Sequence, residues 1–173
     1  MSTIASTITD MDSALKKDRL EAVRSLLRAR TALVERIEAA LAADDLPPLS
    51  WYDVLCALEE ADGNRLRPRD LAFQVALTRS GLTRLLDRIH AAGLVDRQEC
   101  PSDRRGHLVV LTEAGRRTLQ VMRPVYERAL DEAFGSVSDE GAATLRSLLD
   151  PVTASACVAA GEDDQLVTGR RAA

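Results

Sequence analysis

The chain has 173 residues, 46% of them hydrophobic and only 3% aromatic, with a formal net charge of −4. That length suits one domain with appendages and a real buried core, and no apolar run reaches the ~18 residues that a membrane span needs. Cys56, Cys100 and Cys157 are too scattered for a disulfide framework or a paired-cysteine metal site, and no signal-like apolar segment opens the chain, so a cytoplasmic, reducing setting without a membrane partner is expected.

Residues 1–11 read as a loose tail. Residues 12–43 read as one long helix, because Leu15, Val23, Leu26, Leu27, Leu33, Val34, Ile37 and Leu41 recur at helical spacing with Arg and Glu between them. It exceeds the ~11–12-residue mean of globular helices, so it is expected to pack against something beyond its own domain. Pro47-Pro48 breaks it. Ser50 is the expected cap of a second helix, with Asp53 in capping-box-like spacing and Val54, Leu55 and Leu58 inward. Asp62-Gly63-Asn64 reads as a turn, and Arg67-Pro68 opens a short third helix that buries Leu71, Ala72 and Val75.

After the joint Ala76-Leu77, Thr78 is expected to cap a fourth helix reaching about residue 91. Leu82, Leu85, Leu86 and Ile89 are spaced i, i+3, i+4, i+7 and so form its core stripe. Arg79, Ser80, Thr83, Arg84 and Arg88 fall on or near the other face. At ~1.5 Å per residue this helix is about 20 Å long, a good length for a major groove. Gly93 ends it. Residues 94–99 and 108–111 read as two strands around a basic turn, Cys100-Pro101-Ser102-Asp103-Arg104-Arg105-Gly106-His107, with the second strand buried. Thr112 is expected to cap a fifth helix, kinked near Pro124 and ended by Gly135. Ser138 is expected to cap a sixth, with Leu145, Leu148 and Leu149 inward, which Pro151 either interrupts or kinks. Residues 161–173 read as a disordered tail.

The resulting fold class is mainly α with a small β-hairpin wing. A winged helix-turn-helix over residues 47–112 lies between dimerisation helices at 12–46 and 113–160. A negative chain is a poor polyanion binder, but the charge is uneven. Residues 65–117 carry eleven Arg against six acidic residues, a net of +5, which leaves −9 on the rest. A local basic footprint of this kind is what phosphate binding requires, although a solvated charge cluster would look the same. Arg can pair bidentately with guanine, and Ser or Thr can bond bases or phosphates. No Ser/His/Asp set, carboxylate pair, phosphate-binding glycine loop or metal-ligand spacing is apparent, so neither an enzyme nor a cofactor or metal is expected.

The segments Leu77-Thr78-Arg79-Ser80-Gly81-Leu82-Thr83-Arg84-Leu85-Leu86-Asp87-Arg88, Ala92-Gly93-Leu94-Val95, Cys100-Pro101-Ser102-Asp103-Arg104-Arg105 and Leu111-Thr112-Glu113-Ala114-Gly115 resemble the MarR (multiple antibiotic resistance regulator) family of bacterial transcription factors. Helix order agrees over residues 12–157. The resemblance implies a homodimer whose first, fifth and sixth helices interlock. It also implies a fourth helix in the major groove of double-stranded promoter DNA, and Arg105 at the wing tip in the minor groove, held by Asp103. Arg104 then touches the backbone or braces the wing, and His107 touches a phosphate or is a plain loop histidine. Family members typically repress and let go when a small aromatic or anionic effector binds. Trp51, Tyr52 and Tyr126 either line such an effector site or anchor a domain junction. Two alternatives stay open: a winged-helix module that binds protein without DNA, and a redox sensor working through Cys100 or Cys157, although the family's sensor cysteines lie nearer the N-terminus than any here.

Overall fold

The computed structural model describes residues 2–75, 79–100 and 103–160, and the side chains of 16–75, 81–99 and 107–155. Helix α1 spans Ser2–Ala43. It begins ten residues before the expected start, so residues 2–11 are helical and not a loose tail. The cause is legible in retrospect: Ile4, Ile8, Met11 and Leu15 continue the apolar stripe at i, i+4, i+7 and i+11. Asp45 takes φ 54° and closes the helix with the paired bonds Asp45 N–H to Ala42 O (3.2 Å) and Leu46 N–H to Leu41 O (2.9 Å).

Helix α2 spans Leu49–Glu60. Its cap position is Pro48, with extended backbone and no side-chain cap, so Ser50 lies inside the helix and is not its cap. Pro47-Pro48 fixes the entry two residues early, and the Leu49 N–H donates to Glu38 Oε1 of α1 at 3.2 Å. A carboxylate from another helix thereby satisfies a donor that the first turn leaves open. Asp62–Asn64 forms a 3-10 turn leading into a two-residue strand, β1, Arg65–Leu66. Helix α3 is Pro68–Gln74 with proline in its first turn, burying Leu71 and Ala72, and Val75 packs against the same core. Helix α4 is Arg79–Ala91; the Ala76-Leu77 joint and the Thr78 cap lie outside the described residues.

Strands β2, Val95–Cys100, and β3, Asp103–Leu111, pair antiparallel. With β1 they form a three-stranded sheet in the order β1-β3-β2. The hairpin is longer than expected, because residues 103–107 belong to a strand and not to the turn. The register runs from Val95↔Leu111 to Cys100↔Asp103, with an irregularity at Glu99/Cys100. The outer ladder pairs polar residues such as Glu99↔His107, and a polar run has no apolar alternation to reveal it. Near the body, Val109 and Leu111 are buried while Leu108 and Val110 are half-buried.

Helix α5 spans Glu113–Phe134 and continues through Pro124; helix α6 spans Asp139–Ala160 and continues through Pro151. Both expected caps are present: Gly115 N–H donates to Thr112 Oγ1 at 3.0 Å, and Gly141 N–H to Ser138 Oγ at 3.1 Å. The chain divides into two compact units, Met1–Asp131 and Glu132–Ala173. The first has one continuous core, from Ile37 and Leu41 of α1 through the four α4 leucine and isoleucine positions to Leu119, Met122 and Ala129 of α5. In the second, Leu145 and Leu148 are 42% and 64% exposed, contrary to the expectation that they point inward, and Leu149 is half-buried. The residues expected as a C-terminal tail, 161–173, lie outside the described residues.

Candidate nucleic-acid interface and an adjoining cleft

Helix α4 separates its two faces as its periodicity requires. Leu82 and Ile89 are 1% and 0% exposed, with Leu85 and Leu86 buried beside them. Thr83, Arg84, Asp87 and Arg88 are exposed. Arg84 has no ion-pair partner among the described residues. Arg79 and Ser80 form the first turn of α4; their side chains lie outside the described residues. Arg88 places its guanidinium 6.0 Å from the centroid of the Trp51 ring on α2, at the outer limit of a cation–π contact.

A tether that sequence reasoning missed joins α4 to the hairpin. Asp87 of α4 pairs with Arg97 of β2, and His90 Nε2 lies 3.7 Å from Asp96 Oδ1. Residues ten apart show no local periodicity, so only the fold reveals this pair. It neutralises Asp87, the acidic side chain on the face that carries Arg84.

The base of the hairpin is clamped more firmly. Gly93 has φ 73°, and Gly93 N–H to His90 O (2.8 Å) with Leu94 N–H to Ile89 O (3.1 Å) ends α4. Thr112 then closes the far end. Its hydroxyl donates to Gly93 O at 2.8 Å while accepting from Gly115 N–H, and its own N–H donates to Leu94 O at 3.2 Å. A Cβ on Gly115 would lie 2.1 Å from Leu94 O, so only glycine lets α5 start this close. The Leu-Thr-x-x-Gly run therefore has a physical meaning: it fastens the exit of β3 to the exit of α4.

Asp103, Arg104 and Arg105 belong to β3, but their side chains, and any Asp103–Arg105 ion pair, lie outside the described residues. His107 is exposed and faces Glu99 across the ladder. Cys100 closes β2, and its side chain and that of Cys157 are likewise outside the described residues.

The three aromatic residues do not form one site. Tyr52 and Tyr126 stack with ring centroids 4.3 Å apart and line a cleft of about 850 Å³ between α2, the end of α3 and α5. Trp51 is not part of that lining; it lies toward Arg88, with its buried indole N–H unpartnered. Cleft residues also include Asp53, Cys56, Glu60 and Gln74. Burial, reinforced by the Glu60 carboxylate, pushes the Cys56 thiol up to about 11, so it is neutral and a poor nucleophile at physiological pH. Lost hydration and then the Glu38 carboxylate raise Asp53 above the ordinary range. Arg123 pairs with Glu59 and also hydrogen-bonds the Tyr52 hydroxyl, and Arg116 bonds Asn64 Oδ1 at 2.9 Å. Among the described residues no cluster of His, Cys, Asp or Glu could hold a metal ion, and no helix is long and apolar enough to cross a membrane.

Residues 44–106 match the model of the MarR family. AbsC, a MarR family transcriptional regulator from Streptomyces coelicolor, is 32% identical with a TM-score of 0.70, over 76% of this chain and 89% of that one. Sco3205, a MarR family transcriptional regulator from the same organism in complex with DNA, is 30% identical with a TM-score of 0.73, over 79% of this chain and 86% of that one. The transcriptional repressor MprA of Escherichia coli (strain K12) is 24% identical over 66% of this chain, and the match spans 65% of MprA. These relatives are transcriptional regulators and not enzymes.

Proposed function

The chain belongs to the MarR family of transcriptional regulators, and on that premise we propose that it is a homodimeric, effector-released repressor that reads double-stranded promoter DNA. The observation that carries this reading is α4: a helix whose apolar side is consumed by the core, whose outer side presents Thr83 and Arg84, and whose end is fastened to a hairpin. In this reading Arg79, Ser80, Thr83 and Arg84, with Thr78 before them, meet base edges and phosphates in the major groove. Arg88 flanks them. Arg104, Arg105 and His107 of the hairpin follow the backbone into the minor groove, with Asp103 bracing Arg105. Sco3205 supports the reading because a relative of 30% identity is seen with DNA, and MprA supports repression by its name.

Surface chemistry supports dimerisation. Leu20, Val23 and Leu27 of α1 are 58%, 52% and 57% exposed, an apolar stripe that water disfavours. Two copies joined there would set two α4 helices about 34–36 Å apart, one turn of B-form DNA. The effector would enter the cleft lined by Tyr52 and Tyr126, whose walls include helices of the DNA-reading part.

The test is a mobility shift with DNA from upstream of the protein's own gene. Wild type shifts it, and Arg105→Ala weakens the complex about tenfold, the order of one lost Arg contact. No wild-type shift at low salt would sink the reading in favour of a protein-binding winged helix.

A further inference from the structure

The Tyr52–Tyr126 cleft carries more chemistry than an unspecified effector site needs. Among the described residues lining it, the ionised side chains are the carboxylates of Asp53 and Glu60. Arg123 is not among the lining residues; its guanidinium is shared between the Glu59 carboxylate and the Tyr52 hydroxyl. Tyr52 is 7% exposed while Tyr126 is only half-buried, so the stacked pair keeps aromatic surface for a guest chiefly on Tyr126. The cleft's volume of about 850 Å³ lies within the ~300–1,000 Å³ common to small-molecule sites.

Among the described lining residues, an organic anion entering this cleft meets two carboxylates and no cationic side chain. A planar aromatic cation meets the same carboxylates favourably and can also lay its charge against an electron-rich ring face. The raised pKa of Asp53 agrees, since a carboxyl already disfavoured as an anion gains from a neighbouring positive charge. We propose that the cleft between α2, α3 and α5 binds planar aromatic cations in preference to aromatic anions, through Tyr126 stacking and the Asp53 and Glu60 carboxylates. This deepens the reading of the chain as an effector-controlled regulator and rests on it only for its biological meaning.

The test is calorimetric titration of the full chain, without DNA, using N-methylquinolinium and 1-naphthoate, two fused-ring probes of similar shape and opposite charge. The cation is expected to bind at least about tenfold more tightly, the size of one good cation–π or charge contact. The double substitution Asp53→Asn, Glu60→Gln keeps the shape and is expected to erase that preference, while Tyr126→Ala weakens both probes. Equal or tighter binding of naphthoate, no saturable binding of either probe, or an undiminished preference in the double variant would each overturn the proposal. A mobility shift on the same preparations separates the two readings: DNA binding without cation selectivity sinks only the ligand class, and the reverse sinks only the regulator.

Discussion

Helix α4 and the outer half of α1 are both amphipathic, yet only α4 has its apolar face covered within the chain. Helix α4 buries Leu82, Leu85, Leu86 and Ile89 and exposes polar side chains. Between residues 20 and 27, α1 leaves Leu20, Val23 and Leu27 exposed, although Ile37 and Leu41 of the same helix are 2% and 0% exposed. Periodicity alone cannot tell these cases apart, because it reports that a face will be covered and not by what. A polar outer face suits a hydrated polyanion, and an apolar one suits a second protein surface. The contrast supports the proposal that α4 meets DNA and α1 meets another copy of the chain.

The largest effect is expected from breaking the α1 side. Replacing Leu20, Val23 and Leu27 with Glu leaves each protomer folded, since these side chains touch no core. Light scattering is expected to show a monomer, and operator affinity to fall by about a hundredfold or more as two linked half-site contacts become one. A dimer that survives would remove α1 from the interface.

On the α4 side, Leu82→Ala empties a site that is 1% exposed and is expected to cost about 2–5 kcal/mol in chemical denaturation. Thr112→Val removes the hydroxyl that joins Gly93 O to Gly115 N–H. The expected loss is about 1–2 kcal/mol, with faster amide exchange at Gly93 and Leu94, and unchanged exchange there would mean the clamp is ornamental. Asp87→Asn breaks the pair with Arg97. Because both partners are partly exposed, only about 0.2–1 kcal/mol is expected, measured as a small shift in the unfolding midpoint.

What the sequence shows plainly is whatever repeats within one element: the α4 stripe, the proline start of α3, and the Thr112 and Ser138 caps. The MarR resemblance was legible for the same reason, as short motifs with fixed spacing. Other features needed the fold. Strand β1 is two residues long and carries no period. The hairpin's outer half has no apolar alternation in its sequence to mark it. Asp87–Arg97 and Tyr52–Tyr126 are contacts between elements. Trp51 and Tyr52 look like one aromatic feature in the sequence, but consecutive helical residues point about 100° apart, so one faces Arg88 and the other the cleft. Ser50 fails as a cap because Pro48 already fixes where α2 begins.

The central claim, that α4 grips duplex DNA through exposed Arg84, is tested most directly by the salt dependence of operator binding for wild type and Arg84→Ala. If Arg84 meets a phosphate, the wild-type plot of log affinity against log salt is steep and the variant's slope is shallower by about 0.9, one released counterion. If it reads guanine, the slope holds while affinity for the specific site falls by about ten- to a hundredfold. A variant that matches wild type in both slope and specific affinity would contradict the account.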